Sequence, residues 1–264
     1  MTKIVIDPGH GGRDTGAVYG ECREKDFTLQ IALKVRDYLK SRYVAEVLMT
    51  RTTDKTVSLT ARTDFANRNK ANYYCSIHIN AGGGTGWESY IYNGSVSNFT
   101  KSARNTIHST VMNVIGPQYG VRDRGKKRAN FHVLRESHMP AILMENMFID
   151  TERDRNLLRS QAFISDLANG IGAGLAKALQ LSPKARERFY KVIAGSFLIP
   201  QNAFNRQSFL RSKGIGSIIV KKVVSGKTVY RVQAGAFRKR ANAEARLQAV
   251  KKLGISDAFI LVER

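Results

Sequence analysis

Two of the five histidines stand where chemistry could use them. His10 follows a short apolar run in Asp7-Pro8-Gly9-His10-Gly11-Gly12, and His78 closes another in Ser76-Ile77-His78-Ile79-Asn80. Glu145 ends a third run, Ala141-Ile142-Leu143-Met144. An ionised glutamate there is costly unless a cation or hydrogen bonds compensate it. Glu24, in Glu24-Lys25-Asp26, precedes a helix that begins near Phe27. It reads either as a helix-start acid facing the dipole or as a further ligand. A histidine near a strand end is commonly a hydrogen-bonded structural residue, so spacing alone leaves the metal reading and the structural reading both open. Of the remaining histidines, His108 on a polar helical stretch reads as a surface residue and His138 before Met139-Pro140 as a turn residue. His132, in Asn130-Phe131-His132-Val133-Leu134-Arg135, belongs to a segment that could line a cleft.

The elements that must hold these residues alternate in type over positions 1–181. Strand-like runs cover Lys3–Asp7, Glu46–Thr50, Tyr73–Ile79, Trp87–Tyr92 and Pro140–Met144. Helical spacing relates Phe27, Ile31, Val35, Tyr38 and Leu39, and it recurs in Leu59–Asn69, Lys101–Ile115 and Phe163–Leu179. The alternation predicts an α/β domain, a largely parallel sheet flanked by helices. His10, His78 and Glu145 would then lie at the carboxyl ends of three strands, the usual place for a site on an open α/β sheet. Gly120–Asn130, with Arg122, Arg124, Lys126, Lys127 and Arg128, reads as a basic surface loop.

The character changes after Leu181-Ser182-Pro183. Residues 190–215 and 230–255 align at an offset of 40 with ten identities in 26 positions and no gap, including Tyr-x-Val-x-Ala-Gly-x-Phe. Each copy reads strand, helix, strand, which predicts a smaller α+β, ferredoxin-like βαββαβ domain over 182–264. The charge is uneven as well. The chain carries +22 in all, and 182–264 holds 18 basic against 4 acidic residues, a net +14. Such a tail seeks polyanions. No apolar run approaches the roughly 18 residues of a membrane span, so no membrane insertion is expected. The two cysteines, Cys22 and Cys75, are too few for a disulfide framework and read as a loop thiol and a core thiol.

Taken together, Val5–Gly12, Glu24–Asp26, Ser76–Asn80 and Pro140–Asn146 resemble the four motifs of the N-acetylmuramoyl-L-alanine amidase 3 family, in that family's order. Ile79 stands where the family often has a polar residue. The resemblance implies that His10, Glu24 and His78 ligate Zn²⁺, one per chain, and that Glu145 is the general acid/base acting on zinc-activated water. The bond cut would be the amide between N-acetylmuramic acid and L-alanine. Asn80 and Arg135 are candidate substrate contacts, Arg135 meeting a carboxylate of the peptide stem. The repeat resembles the SPOR (sporulation-related repeat) domain, which binds peptidoglycan glycan strands. Lys191, Ser196, Arg231 and Gln233 are the candidate contacts there, and Ile193 replaces in the first copy the polar residue that Gln233 supplies in the second. The combination resembles sporulation mother-cell-wall autolysins and related phage endolysins.

The partners expected are glycan strands, peptide stems and anionic wall polymers, with no specific nucleic acid. A nucleic-acid binder would suit the charge and the ferredoxin-like outline, but the tail lacks the stacking aromatics of an RNA-recognition module. A non-haem iron oxygenase also uses two histidines and a carboxylate, though on a double-stranded β-helix. The N-terminus offers no secretory h-region. Action on the cell wall is therefore expected to follow cytoplasmic synthesis, with release by lysis, by a holin or by a non-classical route.

Overall fold

In the computed structural model, which describes residues 1–185 and 188–263, the apolar run at the N-terminus forms β1 (Thr2–Pro8). A two-residue hairpin follows, β2 (Val18–Tyr19) and β3 (Cys22–Arg23), then α1 (Glu24–Arg42), β4 (Ala45–Met49), α2 (Leu59–Arg68) and β5 (Tyr73–Asn80). The chain continues through β6 (Trp87–Tyr92), α3 (Asn98–Tyr119), β7 (Asp123–Ala129), α4 (His132–Arg135) and β8 (Ala141–Phe148). Helices α5 (Glu152–Arg159) and α6 (Gln161–Ala178) complete the first of two units, Met1–Lys184 and Ala185–Arg264.

Its six strands lie in the order β4-β1-β5-β8-β6-β7. Strands β4, β1, β5 and β8 run parallel, β6 is antiparallel to β8, and β7 is parallel to β6. Central strands covered on both faces need apolar residues in succession, and Tyr73, Tyr74, Cys75 and Ile77 are each fully buried. On one face Ile4, Ile6, Cys75, Ile77, Ile142 and Met144 pack in the core beneath α1, α3 and α6. On the other, Val5, Tyr74 and Leu143 meet Ala66 of α2 and Val133 and Leu134 of α4. Both cysteines are buried and free.

Three readings are corrected. The basic stretch expected as a loop is β7, an edge strand whose charged side chains suit the unpaired side of a sheet. His108, expected at the surface, is 2% exposed. It lies against the Trp87 ring at 4.9 Å, because the face of α3 that carries Ile107 and Val111 turns it toward the sheet. The break at Leu181-Ser182-Pro183 falls inside the first unit. Leu181 is in its core, Val44 N–H donates to Ser182 O, and Lys184 donates to Arg42 O and Lys40 O.

The second unit runs β9 (Phe189–Phe197), α7 (Pro200–Ser212), β10 (Ile218–Val224), β11 (Lys227–Phe237), α8 (Arg240–Lys251) and β12 (Phe259–Glu263). Its antiparallel sheet has the order β10-β11-β9-β12, with the helices on one face. The repeat is physically legible. Val192 and Val232, Ala194 and Ala234, and Ala203 and Ala243 occupy equivalent core positions. Gly195 (φ 134°) and Gly235 (φ 143°) lie under the rings of Phe197 and Phe237, where a Cβ would come within 2.7 and 2.6 Å. Arg206 and Arg246 cross those rings and donate to Ala194 O and Ala234 O.

Candidate active site

The loop after β1 is built from the buried Asp7 outward. Its carboxylate accepts from Thr50 Oγ1 at 2.6 Å, Arg62 Nη1 at 2.8 Å and Ser76 Oγ at 2.9 Å. Burial works to raise its pKa, but the Arg62 charge and the hydrogen bonds override it and hold the carboxyl below its ordinary value. Arg62 also donates to Pro8 O at 2.7 Å and His10 O at 2.6 Å. Arg51, 1% exposed, donates to Pro8 O and Gly9 O. Two buried guanidinium groups thus clamp the carbonyls of residues 8–10 and keep His10 at φ 60°, a left-handed conformation rare outside glycine.

Glu24, the first residue of α1, is 4% exposed. Each of its oxygens takes one backbone N–H, Oε1 from Ile79 and Oε2 from Ala17, both at 2.9 Å. Each then faces an imidazole: Oε1 lies 3.0 Å from Nδ1 of His78, and Oε2 lies 3.2 Å from Nε2 of His10. Desolvation opposes the charge on Glu24, but the two histidines hold its carboxyl well below the carboxylate range. Burial lowers the His10 pKa while Glu24 and Asp14 raise it more strongly, to about 8, and His78 is raised against its own burial by Glu24 and Glu145.

One ligand atom from each of His10, Glu24 and His78 lies within 4.8 Å of the other two. The cradle depends on glycine. A Cβ on Gly9 would stand 2.3 Å from His78 Cε1, and one on Gly16 would stand 2.6 Å from Glu24 Oε2. Two imidazole nitrogens and one carboxylate form the donor set of a catalytic zinc site that keeps a fourth position open. A cation would supply the positive charge that the buried Glu24 carboxylate calls for. The residues present fit the metal. Asp14, which the sequence reading missed, takes the remaining nitrogen of His10: both carboxylate oxygens lie 2.9 Å from Nδ1. Its position four residues past a candidate ligand was the available signal.

Glu145 of β8 is in register with His78 of β5. Its Oε2 is buried and has no hydrogen-bond partner, and burial pushes its pKa up to about 7. Glu145 lines a cavity of about 520 Å³ together with His10, His78, Leu59, Phe131 and His132. His132 Nε2 is likewise buried and unpartnered. Asn146 braces the strand, accepting from Trp87 Nε1 at 2.8 Å and donating to His78 O at 3.0 Å.

The other candidate residues fall elsewhere. Asn80 donates to Glu88 Oε1 at 2.9 Å. Arg135 lines a neighbouring cavity of about 310 Å³ and donates to Glu136 and Asn130. In the second unit Lys191, Arg231 and Gln233 alternate along their strands with the core residues Val192, Val232 and Ala234, so they lie on the sheet face away from the helices. Ser196 is exposed and in register with Arg231, and Lys191 is ion-paired with Glu263.

Residues 4–177 match the sequence profile of a family described as N-acetylmuramoyl-L-alanine amidase, and residues 187–261 match that of the SPOR domain. A sporulation-specific N-acetylmuramoyl-L-alanine amidase of Bacillus subtilis (strain 168) is 48% identical over 84% of this chain and 86% of its own. An endolysin of Bacillus phage SPP1 is 42% identical over 70% of this chain and 69% of its own. The crystal structure of an N-acetylmuramoyl-L-alanine amidase from Clostridium difficile 630 superposes with a TM-score of 0.63 at 36% identity, covering 68% of this chain and 97% of that one.

Proposed function

The chain belongs to the N-acetylmuramoyl-L-alanine amidase family, and from that premise we propose that it cuts the amide between N-acetylmuramic acid and L-alanine with one zinc ion held by His10, Glu24 and His78 and with Glu145 carrying the proton. It is a peptidoglycan amidase with a SPOR domain behind the catalytic one. The observation that carries the reading is the convergence of three metal-competent donors one strand away from a buried carboxylate that lacks a hydrogen-bond partner.

Zinc held by such a set supplies Lewis acidity, which polarises a carbonyl and acidifies water. The rest falls to the chain. Asp14 fixes the His10 tautomer by accepting from Nδ1, which leaves Nε2 for the metal. Glu24 contributes a carboxylate whose other lone pairs are satisfied by backbone N–H groups, so it has no competing proton. Glu145 Oε2 receives a proton from the attacking water and hands it to the departing L-alanine nitrogen. An amine leaves poorly unless protonated, so a carboxyl that burial holds near neutrality suits both halves of the transfer. The neighbouring cation would draw that value down again.

Wall binding is assigned to the second unit, Ala185–Arg264, which carries the repeat and, with 17 basic against 4 acidic residues, a net +13. The open sheet face with Lys191, Ser196, Arg231 and Gln233 is proposed to meet glycan, and the excess charge to meet anionic wall polymers. Action is on the cell wall. Digestion of purified peptidoglycan tests the whole reading. New L-alanine amino groups without new reducing sugars are expected, and the opposite pattern would overturn it.

A further inference from the structure

Glu145 is not the last acid in its row. Glu88 of β6 is its register partner on the side away from His78, so His78, Glu145 and Glu88 stand on three adjacent strands of one sheet face. Neighbouring strands lie about 4.8 Å apart. Glu88 is 1% exposed, and the proposed chemistry makes no use of it. Its oxygens nonetheless take four donors. Oε1 accepts from Asn80 Nδ2 at 2.9 Å and from the Tyr90 hydroxyl at 2.7 Å. Oε2 accepts from Arg124 Nε at 2.7 Å and from Lys127 Nζ.

One carboxylate shared by two cations leaves a net positive charge. Both cations are held a second time by a ring: the Arg124 guanidinium lies 4.6 Å over Phe148, and the Lys127 ammonium lies 5.7 Å over Tyr90. They have therefore already lost the rotamer freedom that a solvent-facing arginine or lysine keeps, yet their side chains remain 26% and 36% exposed. Donors ordered in advance and still reachable make a site for an anionic oxygen. Tyr90 connects this group to the cleft, since its ring meets that of Phe131 at 5.2 Å, and Phe131 lines the cavity beside Glu145.

Resting on the amidase reading, we infer that Arg124 and Lys127, held in place by Glu88, form a subsite for a free carboxylate on the second residue of the peptide stem. That residue is a glutamate joined through its side-chain carboxyl, so its α-carboxylate is left over. Two residues reach at most about 7 Å, and Glu88 stands one strand, about 4.8 Å, beyond Glu145, so a stem whose first amide lies over Glu145 and which runs toward β6 can carry this carboxylate to the two cations. The basic stretch of β7 thereby gains a substrate-side role: specificity for an acidic stem over an amidated one.

The test compares N-acetylmuramoyl-L-alanyl-γ-D-glutamyl-L-lysine with the same compound amidated at the α-carboxyl of its second residue, so that the side-chain carboxyl is occupied in both and they differ only at that group. The full-length enzyme is expected to prefer the acid by roughly tenfold in kcat/KM, expressed in KM. The preference should shrink when salt is raised to 0.5 M. Arg124→Gln and Lys127→Gln, taken singly so that one cation still neutralises Glu88, should each cut the preference at least threefold, with melting temperature checking the fold. Equal rates on acid and amide, or variants that keep the full preference, would overturn the subsite while leaving the amidase reading intact. If neither compound is cut, the amidase reading fails. Calorimetry with L-alanyl-γ-D-glutamyl-L-lysine and its α-amide then decides the subsite alone: tighter binding of the acid, lost in the variants, supports it, and equal binding overturns it.

Discussion

Asp14 accepts a hydrogen bond from Nδ1 of His10, both carboxylate oxygens lying 2.9 Å away, and this bond turns Nε2 toward Glu24. A carboxylate behind a ligating histidine fixes its tautomer and raises its basicity. Asp14→Ala should therefore weaken zinc binding by about 10- to 100-fold with little loss of thermal stability, since Asp14 is largely exposed. Competition with a chromophoric chelator measures it, and unchanged affinity would exclude the role.

Ligation and proton transfer separate by mutation. His10→Ala and His78→Ala should lose metal and activity together. Glu145→Gln should keep zinc, counted by elemental analysis, while turnover falls by roughly 10²-fold or more. Near-normal turnover in that variant would make Glu145 structural.

Arg62 joins the buried Asp7 to the carbonyls of Pro8 and His10. Arg62→Ala leaves a buried carboxylate without its charge partner, a loss of about 3–5 kcal/mol read from denaturant midpoints. A cost under about 1 kcal/mol would show that the loop holds itself.

His108 Nε2 donates to Asp123 Oδ1 at 2.9 Å and its Nδ1 pairs with Ser89 Oγ at 2.8 Å, while burial holds its pKa below the ordinary 6.5 against the pull of Asp123. As the pH falls through 6.5, the unfolded chain takes a proton that the folded chain refuses. The His108 contribution to stability should therefore drop over that window and level off only below the folded value, opposite in sign to that of the raised Glu145 carboxyl. Stability measured against pH for the parent and for His108→Gln isolates it: their difference should shrink as the pH falls, and a difference that does not change with pH would exclude the role.

The two halves should divide their labour. Residues 1–184 are expected to cut soluble muropeptide but to pellet poorly with insoluble wall, while 188–264 should bind wall without cutting it. If charge dominates, binding falls steeply as the Debye length shrinks from about 10 Å at 0.1 M to about 3 Å at 1 M salt. Any salt-resistant remainder should decrease in Gln233→Ala. Equal pelleting by 1–184 alone would refute the division.

What the sequence determined by itself is whatever local pattern encodes. Alternating apolar runs and helical spacing announce an α/β domain, since burial periodicity follows from backbone geometry. The repeat announces the βαββαβ unit, because Val192, Ala194, Gly195 and Phe197 meet the same packing demands as Val232, Ala234, Gly235 and Phe237. Four short motifs named the residues that could do chemistry. Only the tertiary structure decided how those residues are supported. Arg62 reaches His10 O across 52 residues, and Glu24 meets His78 across 54. Glu88 gathers Arg124 and Lys127 from 36 and 39 residues away. Such pairings leave no periodicity, because each partner lies on a different element. Strand β7 was unreadable for a related reason. An edge strand of Asp123, Arg124, Lys126, Lys127 and Arg128 buries no alternating apolar face, and its ladder partner β6 lies more than 30 residues upstream. Position in the sheet, not composition, makes it a strand.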